Sequence, residues 1–165
     1  MENQAASVLS TQPRFAHLHH VSLPCRDLEE SKRFYIEVLG GELYHDTPGF
    51  AEVMLAGMIV GLSEQAEGWT GWEAEYPHYG FNVDPANFAL AKPWLDGCGV
   101  PSHGWTRNYQ TALRYLRDPS GNLIELYCDS GYGDIKNLAL GPRQGGVPLP
   151  LGELNYRWSG KLADS

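Results

Sequence analysis

Two stretches of this chain carry the same order of apolar and polar positions. The first opens with His20-Val21-Ser22-Leu23, which alternates with the two-residue period of a strand. Residues 24–27 predict a turn. Asp27 with Glu30 fits a helix start, in which a side chain at N-cap and a carboxylate three residues later satisfy free amide donors. The helix that follows gathers Leu28, Phe34, Tyr35, Val38 and Leu39 near one face, and Gly40-Gly41 is its expected stop. Strand patterns then run over 42–45, 50–55 and 58–62, with Gly57 in a tight turn.

The second stretch opens with His78-Tyr79-Gly80-Phe81-Asn82-Val83. Asp84-Pro85 predicts a helix start, because proline is tolerated in the first turn. The helix should run toward Asp96 and end at 97–99, kinked or shortened by Pro93. Strands near 112–116 and 123–128 follow, joined by the turn Asp118-Pro119-Ser120-Gly121. The spacing reads as one βαβββ unit written twice. The intervening residues 68–76 form a linker that carries Trp69 and Trp72. After Asp129 the pattern dissolves into glycine, proline and scattered apolar residues, among them Tyr132, Leu138, Leu140, Leu149, Leu151, Tyr156 and Trp158. That is too much apolar surface for a free tail, so the segment should wrap the domain or a partner subunit.

Strand parity puts chemistry on one side. Val21 and Leu23, Tyr79 and Phe81, and Ile124 and Leu126 form the apolar faces of three strands. His20, His78 and Glu125 fall on the opposite faces, with Ser22, Gly80 and Asn82 beside them. Two imidazoles and a carboxylate converging in a cleft suit one divalent transition metal, and three ligands leave open positions for water or substrate. A single histidine on a strand is more often a solvated side chain. Three residues at matching points of a repeated unit carry more weight.

Composition narrows the class. Hydrophobic residues make up 42% and charged residues 19%, values of a globular chain and not a disordered one. A net charge of −8 with no basic stripe argues against nucleic acid or a membrane surface as partner. No apolar run has the length of a membrane span, and residues 1–13 do not read as a secretory signal. Cys25, Cys98 and Cys128 form no CxxC pair, so free thiols and a cytoplasmic location are expected.

Three stretches, LHHVSLPCRDLEESKRFYIEVLGG, EYPHYGFNVD and RYLRDPSGNLIELY, occur in this order across most of residues 17–128. Together they resemble the vicinal-oxygen-chelate superfamily, which includes glyoxalase I, extradiol dioxygenases, fosfomycin-resistance enzymes, methylmalonyl-CoA epimerase and the bleomycin-resistance proteins. The resemblance implies an α+β fold of two βαβββ modules forming a curved mixed sheet around a metal cleft. The modules would span about 15–65 and 76–128 of a domain at 15–128, with 129–165 as an irregular C-terminal extension. It implies metal ligands at His20, His78 and Glu125, with His19 the weaker member of its pair because it shares the side of Val21. It also implies a small-molecule substrate that chelates the metal through neighbouring oxygens, and a homodimer, since in some members the other subunit completes each cleft.

Departures from the family's branches guide the chemistry. Glyoxalase I has a fourth ligand, a glutamate, where Gly61 stands here. The fosfomycin-resistance enzymes resemble this chain in LAGMIVGLSE and PHYGF, but the lysine they carry ahead of the last hairpin is missing from GWTRNYQTALRY, where Arg107 and Arg114 are the cations. Extradiol dioxygenases place a tyrosine ahead of the glutamate ligand, matched by Tyr115, and use an acid–base histidine whose nearest counterpart is His103. The leading expectation is therefore an Fe(II) extradiol-type dioxygenase, with Tyr115 and His103 as catalytic candidates. Ser22, Asn82, Trp105, Arg107 and Tyr127 are the candidate substrate contacts, with Trp105 and Arg107 expected in a loop. The alternatives are a lyase, isomerase or thiol transferase using Mn(II), Ni(II) or Zn(II) as a Lewis acid, and a binding protein of the bleomycin-resistance kind. Cys98 reads as a small buried residue and not as a nucleophile.

Overall fold

A computed structural model describes residues 17–71, 74–107, 111–129, 141–142 and 148–163. The first module runs β1 (His20–Cys25), α1 (Leu28–Arg33), β2 (Glu42–Thr47), β3 (Phe50–Leu55) and β4 (Met58–Glu64). The second runs β5 (Tyr79–Asn82), α2 (Pro85–Gly97), β6 (Ser102–Arg107), β7 (Thr111–Arg117) and β8 (Leu123–Cys128). A two-residue strand, β9 (Gly141–Pro142), and a 3-10 turn, Leu151–Leu154, follow. The sheets have the orders β1-β4-β3-β2 and β5-β8-β7-β6-β9. In each, the first and last strands of the module pair in parallel and the inner pairs are antiparallel. The βαβββ duplication is thus present, and each module contributes its own mixed sheet.

Local chemistry explains most element ends. The Asp27 side chain caps α1 by accepting from the Glu30 amide at 2.9 Å, and Asp84 caps α2 by accepting from the Asn87 amide at 2.9 Å. After Arg33 the first helix continues as a π-helical turn, Phe34–Val38, and Gly40 stops it with φ +76°. The β3–β4 turn needs two left-handed residues, Ala56 at φ 52° and Gly57 at φ 78°. Pro93 does not shorten α2, since the helix continues to Gly97 with Pro93 on its exposed side. The expectation of a loop around Trp105 and Arg107 is also corrected. Both lie in β6, held between β7 and β9.

The two modules share one core. Phe34, Tyr35 and Val38 pack with Val53, Val60 and Leu62 of the first module and with Leu95, Val100, Leu116 and Ile124 of the second. The tail enters the same core. Trp158 is 5% exposed, lies edge-on to Phe34 at 5.7 Å and donates its indole N–H to the Cys98 carbonyl at 3.0 Å. Tyr156 and Ala163 pack against it. The sequence expectation that the tail wraps the domain therefore holds for these residues. Trp72, Tyr109, Tyr132, Leu138 and Leu140 lie outside the described residues. Cys25, Cys98 and Cys128 are buried and form no disulfide. No helix among the described residues is long and apolar enough to cross a membrane.

Candidate metal and substrate site

His78 immediately precedes β5, and Glu125 lies in β8, the strand parallel to it. The parallel register sets Gly80 opposite Glu125. A side chain at position 80 would crowd the carboxylate, because a Cβ there would stand 3.3 Å from Glu125 Oε2. With glycine, the Glu125 side chain lies flat toward His78, and Nε2 of His78 is 3.5 Å from Glu125 Oε2. Nδ1 of His78 is 3.0 Å from the Glu75 carbonyl oxygen. With Nδ1 turned to that carbonyl, Nε2 is the ring nitrogen that faces the carboxylate.

The pair offers one imidazole and one carboxylate, donor types that suit a divalent metal, at a separation close to that of two ligands on one ion. Ligand distances of roughly 2.1 Å place two neighbouring ligand atoms about 3.0–3.4 Å apart. Glu125 is 8% exposed, and its second oxygen, Oε1, is buried with no hydrogen-bond partner among the described residues. A buried carboxylate oxygen left bare is costly, and a cation would satisfy it. Burial pushes the Glu125 carboxyl upward, but hydrogen bonds from His78 and Tyr115 and the charge of Arg107 outweigh it and hold the group below its ordinary range. The bond to Glu125 raises His78, with burial opposing it. Glu125 is therefore held as the carboxylate.

His20 is not brought to this pair. It sits exposed at the start of β1, in the other sheet, with its Nδ1 3.1 Å from Nδ1 of His19. Among the described residues, no three His, Cys, Asp or Glu side chains converge closely enough to hold a metal ion. Gly61 is buried between Ser22 and Phe50, and a Cβ there would stand 3.1 Å from the Ser22 hydroxyl.

The other candidates sort by register. Tyr115 lies opposite Glu125, and His103 opposite Tyr115, so Glu125, Tyr115 and His103 form one transverse row on one face of the sheet. Tyr115 is 1% exposed, and its ring lies edge-on to His78 at 5.5 Å. The next row along the same face holds Tyr127, Leu113 and Trp105. Trp105 is buried and Tyr127 half-buried, whereas Arg107 is exposed at the end of β6. Asn82 is exposed at the end of β5. Ser22 lines a cavity of about 340 Å³ between the edge strands β1 and β5, to which Trp69, His78, Tyr79 and Leu123 also contribute.

Sequence reasoning missed part of this face. Leu149 and Leu154 of the tail are buried against Trp105, Leu113, Tyr115 and Leu123, with Leu151 and Tyr127 packed beside them. Glu153 reaches His103, with Oε2 3.4 Å from Nδ1. The only signal in the sequence was the excess of apolar residues after Asp129.

The duplicated βαβββ fold and the His–Glu pair at the parallel strands define a class. The profile of the Glyoxalase/Bleomycin resistance protein/Dioxygenase superfamily matches residues 17–99, and the chain belongs to that family. Its similarities within the family are specific. It is 31% identical to "Glutathione transferase FosA" of Serratia marcescens over 116 residues, which is 68% of this chain and 81% of that protein. It is 25% identical to "Metallothiol transferase FosB" of Staphylococcus saprophyticus over 113 residues, 67% of this chain and 75% of that one. Among solved structures, a glyoxalase/bleomycin resistance protein/dioxygenase from Alicyclobacillus acidocaldarius aligns with a TM-score of 0.60 and 26% identity, covering 68% of this chain and 91% of that one. The fosfomycin resistance protein FosX of Listeria monocytogenes shares the fold, with a TM-score of 0.62 at 19% identity over 70% of this chain and 94% of that one.

Proposed function

We propose that this protein is a metal-dependent transferase that joins a small thiol to a substrate whose neighbouring oxygens chelate the metal. The observation that carries the metal part is the bare, buried Oε1 of Glu125, whose other oxygen, Oε2, faces Nε2 of His78 at 3.5 Å. In this reading His78 and Glu125 hold the cation together with His20 of a second copy of the chain, because the chain's own His20 stands in the other sheet. A homodimer is therefore part of the proposal. The bound cation would act as a Lewis acid toward the substrate oxygens. The chain's own groups do the rest. Gly80 leaves room for the carboxylate, Tyr115 donates to Glu125 and fixes its orientation, and Arg107 supplies positive potential at the open end of β6.

The thiol-transfer chemistry is supported by the likeness to two thiol transferases, each matched over three quarters or more of its length. It displaces the dioxygenase expectation from first place. The test is an anaerobic assay of thiol consumption by protein loaded with Mn(II) or Zn(II), using glutathione and cysteine with a panel of small epoxides that bear phosphonate or carboxylate groups. Consumption that disappears in Glu125→Ala is the expected result. No consumption across the panel, with the site shown to be loaded, would remove the transferase reading.

One observation favours a second reading. The row Glu125, Tyr115, His103 sets a phenol and an imidazole on the same face as the candidate ligands. Such groups would serve Fe(II)-dependent cleavage of a catechol-like substrate. Oxygen uptake on catechols by iron-loaded protein, with no thiol consumption, would select it.

A further inference from the structure

The 3-10 turn Leu151–Leu154 lies over β6 and β7. It covers the half of the ligand-bearing face that holds Trp105, Leu113 and Tyr115, and the half formed by β5 and β8, with His78 and Glu125, lies beside it. Leu149 and Leu154 are 4% and 1% exposed and anchor the turn, while Leu151 remains partly open at its edge beside Tyr127. Glu153 stands at the same rim, 70% exposed, with His103 beneath it.

Strand spacing gives this wall a scale. His103 and Glu125 are two strands apart in one transverse row, roughly 10 Å. A molecule of one ring, held by its oxygens beside Glu125, reaches that distance with its far end. There it meets the side chains of this face that remain partly open, Leu151 and Tyr127, and the carboxylate of Glu153 beside His103.

We propose that Leu151 and Glu153 determine specificity in this cleft. They select a small chelating substrate whose far end is apolar and uncharged, and Glu153 disfavours any substrate with a second carboxylate at that end. The proposal rests on the metal-chelate reading of the face and adds the class of molecule that the face accepts.

The experiment uses the full-length protein loaded with Mn(II) under anaerobic conditions. Isothermal titration compares 4-methylcatechol with 3,4-dihydroxybenzoate, which carry the same chelating oxygens and differ at the opposite end in charge. The wild type is expected to prefer the neutral probe by about fivefold, the size of a partly screened charge repulsion over this distance. Glu153→Lys should abolish or reverse the preference. Leu151→Ser should weaken binding of 4-methylcatechol severalfold while Mn(II) stoichiometry stays at that of the wild type. Glu29→Lys, the same charge change on the surface of α1, should keep the wild-type preference. An unchanged preference in Glu153→Lys, with Mn(II) still bound, would overturn the proposal and leave the metal reading standing. Failure of the wild type to bind Mn(II) or any other divalent ion would remove both.

Discussion

Tyr35, in the π-helical turn of the first module, donates its hydroxyl hydrogen to Asp118 Oδ2 in the second module at 3.1 Å. Asp118 also accepts from the Ser120 and Asn122 amides at 2.9 and 2.8 Å and from Asn122 Nδ2 at 2.7 Å. Asn122 in turn donates to the Pro24 carbonyl at 2.9 Å, and Tyr35 shares a further short hydrogen bond with Tyr79. These bonds tie the two modules through one buried carboxylate.

That carboxylate predicts an unusual pH response. Burial pushes Asp118 up to about 6 from 3.8, against the pull of its donors. Because the folded pKa is the higher one, the native state binds the proton first. Stability then falls as pH rises from about 4 to about 6, and the loss is complete above that window. Asp118→Asn removes the titration, and its amide also loses an acceptor for Asn122. The stability advantage of the wild type over Asp118→Asn should grow as pH falls from 7 to 4, by on the order of 2–3 kcal/mol. Urea unfolding of both proteins across that range measures it, and a constant difference would refute it.

The proposed sharing of one metal site between two subunits predicts complementation. His20→Ala and His78→Ala should each lose metal. Refolded together in equal amounts, half of the dimers are mixed, and each mixed dimer holds one complete site. Bound metal should recover to roughly a quarter of the wild-type value. No recovery in a mixture shown to contain mixed dimers would place all ligands within one chain.

Gly80→Ala separates affinity from stability. The added methyl would stand 3.3 Å from Glu125 Oε2, so the carboxylate must shift by a few tenths of an ångström. Gly80 is not among the glycines with positive φ, so alanine meets no backbone strain. Metal affinity should drop on the order of tenfold with the melting temperature close to wild type. Equal affinity would mean that the carboxylate has slack.

Trp158 tests the role of the tail. Its indole fills space between Phe34 and Cys98. Trp158→Ala should cost about 3–5 kcal/mol, as for other buried aromatic truncations. A chain cut after Cys128 should therefore lose metal binding along with its fold. Retention of metal by the cut chain would show that the tail acts on the substrate face alone.

The parts of this structure that were legible in the sequence are those carried by local pattern. Alternation at residues 20–23 and 123–128, the Asp27 and Asp84 caps and the Gly40 stop each report their own element. Parity also placed His78 and Glu125 on a common side. β6 was not legible, because Ser102-His103-Gly104-Trp105-Thr106-Arg107 has no aliphatic alternation and is held as a strand by β7 and β9. The seat of the tail was not legible either. Isolated leucines among prolines and glycines have no period, and their partners on β6, β7 and β8 are defined only in three dimensions.

The parallel pairing of β5 with β8 has a consequence for motion. Tyr79 meets Ile124 and Asn82 meets Tyr127, residues far apart in sequence whose contact closes the longest loop of the second module. His78 and Glu125 sit at this seam, one before the first strand and one on the last. A cation gripped by both would act as a clasp. It would lower the frequency with which the seam opens, in proportion to how far its concentration exceeds its dissociation constant. The amides of β5 and β8 would then exchange with solvent more slowly when the clasp is shut, while those of β2, exposed along its whole length at the outer edge of the other sheet, would keep their own pace.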